Sequence, residues 1–191
     1  MRHARQDHLA QLPPVLTFQS AVDFTVSTAA IVSAFYEHLP ANGSELVLFD
    51  VNRTSKFGPL LRANSETAVT RLLAAPPRQF RTVIVTNTSP DNREVSEQVT
   101  EAGKLREQVR PLGLFYPKEV YSLSHVALPF PLSDSLYGLE PDNSEYFGIN
   151  LGATATRGER GVLIVSLDAL LRMSSNPFFP YLLQRIEEGI P

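Results

Sequence analysis

The chain has 191 residues, 43% of them apolar and 19% charged, which suits one globular domain over residues 1–191 with a sizeable core and excludes a disordered or fibrous protein. A net charge of -3 without a long Lys/Arg cluster excludes a face built for phosphate backbones, so nucleic acid is not an expected partner. The absence of cysteine rules out disulfides, thiolate metal sites and cysteine nucleophiles, and no apolar run approaches the ~20 residues of a membrane-spanning helix.

Met1 to Gln11 is polar and mixed in charge, lacks the apolar centre of a secretory signal, and reads as the end of a helix or a linker. After Pro13-Pro14, residues Val15 to Ser20 read as a buried strand, with Asp23 three residues beyond its end. Ser27 or Thr28 can cap the helix that follows, where Val32, Phe35, Tyr36 and Leu39 form one apolar stripe; Pro40 and Asn42-Gly43 end it. Glu45 to Val51 is a second strand, nearly continuous in its apolar residues, as expected when both sheet faces are covered. Strand, helix and strand make a βαβ unit and imply a parallel sheet.

Asn64 precedes a helical pattern through Ala68, Val69, Leu72 and Leu73, halted at Pro76-Pro77. Thr82 to Thr86 is a third, β-branched strand. Asp91 and Glu94 have the spacing of a capping box, so a helix is expected from there, with Val95, Val99, Ala102, Leu105 and Val109 on one face. A fourth extended segment then arrives at His125, within the stretch Val120 to Phe130. Residues 129–148 read as a long loop, 151–165 as a hairpin, and Ser166 and Asn176-Pro177 as starts of two short helices, the second with Phe179, Leu183 and Ile186 on one side. The expected fold class is α/β: a mostly parallel sheet with flanking helices.

Open α/β sheets carry their working residues at the carboxyl ends of strands, where Asp23 and His125 both fall. His125 is open to two readings, a base at a strand end or a core histidine whose ring nitrogens are satisfied by backbone. In the first, Asp23 fixes the tautomer of His125 and stabilises its imidazolium, leaving the other nitrogen to take a proton from a serine hydroxyl. No G-x-S-x-G pentapeptide, the signature of a nucleophile elbow, occurs in the chain. Ser124 adjoins His125 but points to the opposite face of an extended strand, and Ser20 and Ser27 suit turn or capping roles. Asp50 and Asp134 are alternative acids. His3 and His8 lack the spacing of a helical metal pair, and His38, late in its helix, complements the dipole there. No metal, cofactor or dinucleotide loop is expected.

The run Pro14 to Asp23, the segment Glu45 to Arg53 and above all Tyr121 to Phe130 resemble the C-terminal half of α/β-hydrolases of the lysophospholipase or monoacylglycerol-lipase type. The resemblance implies that Asp23 is the triad acid and His125 the base. It implies a serine ester hydrolase acting on a small-molecule or lipid ester, with the nucleophile serine outside this chain and Met1 to Gln11 continuing from the half that holds it. His125 follows Asp23 by about one hundred residues, farther than in the simplest members, so an insertion containing the Thr82 to Thr86 strand is required. The alternative is a non-catalytic α/β domain serving as a protein-interaction module through a strand edge or apolar surface.

Overall fold

A computed structural model describes residues 8–9, 11–21, 23, 26–51, 73, 75–89, 91–117, 120, 126, 128–138 and 175–189. Three strands form where the apolar runs predict them: β1 (Leu16–Ser20), β2 (Glu45–Asp50) and β3 (Arg81–Asn87). All three run parallel, with Leu16 opposite Glu45 and Glu45 opposite Arg81 at their amino ends. Side chains alternate between the two sheet faces at a period of two. Leu46 and Leu48 therefore join Val32, Tyr36, Leu39 and Phe80 on one face, while Val47 and Phe49 join Val83, Val85, Phe178 and Tyr181 on the other. Because both faces of β2 meet a helical layer, its four central residues, Leu46 to Phe49, are all apolar.

The first of those layers is helix α1 (Thr28–Ala34), continued by a 3-10 turn over Tyr36–His38. Ser27 is its cap, its hydroxyl accepting from the Ala30 amide at 3.2 Å. The expected stripe is kept at Val32, Tyr36 and Leu39, all buried. Tyr36 also pins the layer to the sheet: its hydroxyl donates to the Glu45 carbonyl and lies 2.7 Å from the Thr17 hydroxyl. Burial, above all, pushes that phenol up to about 12.

Beyond β3 the structure corrects the sequence reading. Instead of a helix from Asp91 to Val109 there are two strands, β4 (Glu94–Thr100) and β5 (Glu107–Phe115). Each pairs antiparallel with its predecessor in the sheet order β1-β2-β3-β4-β5. The sheet is thus mixed, parallel in its first half only. Val95 and Val99 share a face in either conformation, because a spacing of four fits both a helical turn and a strand. The decision lies elsewhere: Gly103 takes a φ of 72° in the turn between the strands, and β-branched Val95, Val99 and Thr100 suit a pleated surface. Asn92 and Glu94 build the β3–β4 turn, not a capping box, with Asn92 Oδ1 accepting from the Glu94 amide at 3.0 Å.

The second layer is helix α2 (Phe179–Gly189), begun by Asn176, whose Oδ1 accepts from the Phe178 amide at 2.8 Å. Its inner face is not the side that Leu183 and Ile186 mark. Tyr181, Leu182 and Arg185 are buried, whereas Leu183 and Ile186 are 46% and 44% exposed. Arg185 is drawn inward because it meets Glu45, at the start of β2. Residues 64–72 of the expected second helix, 139–148 of the long loop, the 151–165 hairpin and the helix expected at Ser166 lie outside the described residues.

Candidate functional site

The carboxyl end of β1 is fixed by polar side chains that bind the chain to itself. Thr28, fully buried, donates its hydroxyl to the Ser20 carbonyl at 2.7 Å and accepts from the Gln19 side-chain amide at 3.2 Å. The β1–α1 connection is thereby folded back on the end of its own strand. Asp23 sits inside it, 1% exposed, with Oδ1 accepting from the Val26 amide at 2.9 Å. The backbone amide fixes the direction of the carboxylate. Ser20 is buried, and Ser27 is committed as the cap of α1.

His125, Ser124 and His3 lie outside the described residues, but the chain just after His125 is described. Val126 is fully buried, in the cluster that holds Phe49, Val51, Val95 and Phe178. Val51 lies just past the carboxyl end of β2, and Val95 pairs with Asn87 at the carboxyl end of β3. The same apolar cluster therefore reaches the sheet end on which Asp23 follows β1. Asn176, fully buried, donates its side-chain amide to the carbonyls of Val126 (2.9 Å) and Leu128 (3.2 Å), and its backbone amide to Phe130 (2.7 Å). Sequence reading identified Asn176 only as a helix start. Its reach of 50 positions to Val126 has no local signature.

The alternative acids are placed as well. Asp134 shapes a turn, with Oδ1 accepting from both the Leu136 and Tyr137 amides at 2.9 Å. Asp50 is buried at the end of β2, where its backbone carbonyl accepts from the Thr86 hydroxyl at 3.0 Å. His8 and His38 are exposed, and the described residues contain no group of three or more acidic or histidine side chains able to hold a metal ion.

A cavity of about 700 Å³ opens at the other end of the sheet, lined by Val15, Leu16, Phe18, Glu45, Arg81 and Arg185 among others. The length of β1, roughly 13 Å at ~3.3 Å per residue, separates this amino end from the carboxyl end where Asp23 lies. Charges here pair with one another. Glu45 accepts from Arg81 at 2.6 Å and also from Arg185, while Arg185 reaches Glu188 at 2.7 Å and Arg81 reaches Glu101 at 3.1 Å. Burial works to lower the Arg185 pKa, but the hydrogen bond and charge of Glu45, with Tyr181 and Glu97, lift it above its ordinary value. Arg185 therefore stays a cation that ties α2 to β2, and the cavity rim is a structural ion-pair network. This cavity is rimmed by paired charges, whereas a directed, buried carboxylate at the strand carboxyl ends points to Asp23.

Comparison of the chain with protein families, curated proteins and solved structures returns no match.

Proposed function

We propose that this chain has an α/β-hydrolase-like fold and supplies the acid and the base of a serine ester hydrolase, with carboxylic esters such as acylglycerols or lysophospholipids as the substrate class. Asp23 orients the His125 imidazole and stabilises its cationic form. His125 takes the proton of a serine hydroxyl as that oxygen attacks the ester carbonyl, then returns it to the leaving alkoxide; water resolves the acyl-enzyme by the same route. The serine comes from outside these 191 residues, which contain no G-x-S-x-G. The observation that supports this reading is the buried Asp23 carboxylate, aimed by the Val26 amide and set on the loop after a parallel strand.

The test is a pH titration of the histidine rings of the ¹⁵N-labelled chain by long-range ¹H–¹⁵N correlation, with His125 assigned through His125→Gln. A neighbouring carboxylate favours the imidazolium, so Asp23→Asn lowers the His125 titration midpoint by about one unit or more. A midpoint that is the same in both proteins overturns the pairing.

The outer strand supports a second reading, a non-catalytic domain that binds a partner chain at its sheet edge. On β5, Val109 and Phe115 are 63% and 65% exposed. Sedimentation across a concentration range, compared with the doubly substituted Val109→Ser/Phe115→Ser, detects self-association through that edge.

A further inference from the structure

We infer that the cavity at the amino ends of the strands binds an aliphatic monocarboxylate, with the head group held by Arg81 and Arg185 and the chain lying along Leu16, Phe18 and Ile186. The site is at the opposite end of β1 from Asp23, so it stands or falls apart from the proposed ester chemistry.

Strand register lays out one side of the cavity. Leu16 is opposite Glu45 and Glu45 is opposite Arg81, so the three form one row across β1, β2 and β3. Phe18, two residues on, shares the face of Leu16 and packs against the cluster that holds Phe49 and Phe178. The last turns of α2 supply the other side with Arg185, Ile186 and Glu188. Ile186, on the outward side of its helix, meets no core and instead lends apolar wall to this cavity. The lining is therefore apolar at the edge strand and charged further in, as an amphiphile with one head group requires. Its volume of about 700 Å³ lies within the ~300–1,000 Å³ usual for small-molecule sites.

The charges are unevenly enclosed. Among the described lining residues only one carboxylate, Glu45, is largely covered, and it meets two guanidinium groups, the buried Arg185 and the half-buried Arg81. Glu188 and Glu101, which pair with those cations from outside, are 44% and 47% exposed and are screened by water. Two enclosed cations against one enclosed anion leave one positive charge in excess. A monocarboxylate matches that excess, whereas a dianionic phosphate exceeds it.

Donors remain for the head group. Arg185 Nε is buried without an acceptor among the described residues. Arg81 gives Nε to Glu101 and Nη1 to Glu45, so its second terminal nitrogen has no acceptor among them either. Guanidinium groups present parallel N–H donors that suit a carboxylate. Glu188 is the internal competitor: it holds Nη1 of Arg185 at 2.7 Å, and a pair with so exposed a partner is weak enough for a ligand to displace.

The test is a titration of the ¹⁵N-labelled chain with sodium octanoate, octan-1-ol and sodium acetate, followed through the backbone amide shifts. Octanoate is expected to saturate the amides of Leu16, Gly43 and Ile186 with a Kd of about 1 mM or tighter, within the reach of a ligand this small. Octanol has the same chain but no charge and should bind about tenfold more weakly. Arg81→Gln should weaken octanoate about tenfold and leave octanol unchanged, and Glu188→Gln, which removes the competitor, should strengthen octanoate about twofold or more. Octanol as tight as octanoate would reduce the site to an apolar crevice, and acetate as tight as octanoate would deny the apolar wall a part; either result overturns the assignment. So does a failure to saturate by about 10 mM, or a set of shifts confined to the exposed Val109 and Phe115 of β5. An unchanged octanoate affinity in Arg81→Gln overturns it as well. Should Arg81→Gln not fold, Glu188→Gln, at a half-exposed position, decides alone: no gain for octanoate overturns the head-group assignment.

Discussion

Glu97 offers the sharpest test of how this sheet is held to its last helix. It occupies the core face of β4 between Val95 and Val99 and is fully buried. Its carboxylate accepts from the Tyr181 hydroxyl on α2 and from Arg110, which is directly opposite on β5 and contributes Nε at 2.9 Å. Tyr181→Phe keeps the ring in its place against Phe49 but removes one donor from a buried anion, at a cost of about 1.5–3 kcal/mol. Glu97→Leu removes the acceptor and orphans the phenol, at a cost of about 1–3 kcal/mol, while Arg110, whose side chain is 58% exposed, returns to water. If the two costs simply added, the double variant would lose about 2.5–6 kcal/mol. Replacing both partners by apolar groups of similar shape leaves no orphan, so its expected loss is under about 1.5 kcal/mol. Urea unfolding of the four proteins, followed by far-UV circular dichroism with the slopes held to agree, gives the coupling energy directly. Additivity within about 0.5 kcal/mol would refute the reasoning, because it would mean that Tyr181 and Glu97 do not depend on each other.

Two further outcomes follow from single positions. The Tyr36 phenol, buried and raised to about 12, favours the fold fully below its ordinary value of 10.0 and loses that contribution as pH climbs through its folded value. Between pH 8 and 11 Tyr36→Phe should therefore lose about 1.4 kcal/mol less stability than wild type, read from urea midpoints at the two pH values; equal losses would exclude the burial of this hydroxyl. In the turn after Phe130, a β-carbon on Gly138 would lie 2.5 Å from the Leu132 carbonyl oxygen and closer still to that of Asp134. Gly138→Ala should cost about 1–3 kcal/mol by thermal unfolding, and an unchanged melting temperature would show that the turn is not so closely wound.

The parts of the fold that the sequence makes legible are those in which local and tertiary demands coincide. Between Val15 and Val51, β2 carries apolar residues for two covered faces, and Ser27 marks the helix between β1 and β2. Legibility fails where one spacing satisfies two periodicities, as Val95 and Val99 do, and where a charge overrides hydropathy. On α2 the apolar Leu183 and Ile186 turn outward because Arg185 pairs with Glu45, a partner 140 positions away that no window of sequence can contain. The same limit hides the Glu97–Tyr181 contact, which spans 84 positions. Asp23 was legible as a residue three positions past a strand; its burial and its bond to the Val26 amide required the folded connection.

The two ends of the sheet hold their carboxylates in different ways. At the amino ends Glu45 is shared by two guanidinium groups, so its charge is already spent on cations and little field is left to raise the basicity of a neighbour. At the carboxyl end Asp23 accepts from a backbone N–H, a donor without net charge that fixes the orientation of the carboxylate; in the proposed function its partner is an imidazole. Asn176 likewise holds the Val126 and Leu128 carbonyls through neutral amide donors, so Asn176→Asp, which replaces both donors with a carboxylate facing two carbonyl oxygens, should lower the melting temperature even though an acidic residue suits a helix start; an unchanged melting temperature would show that neither bond carries stability.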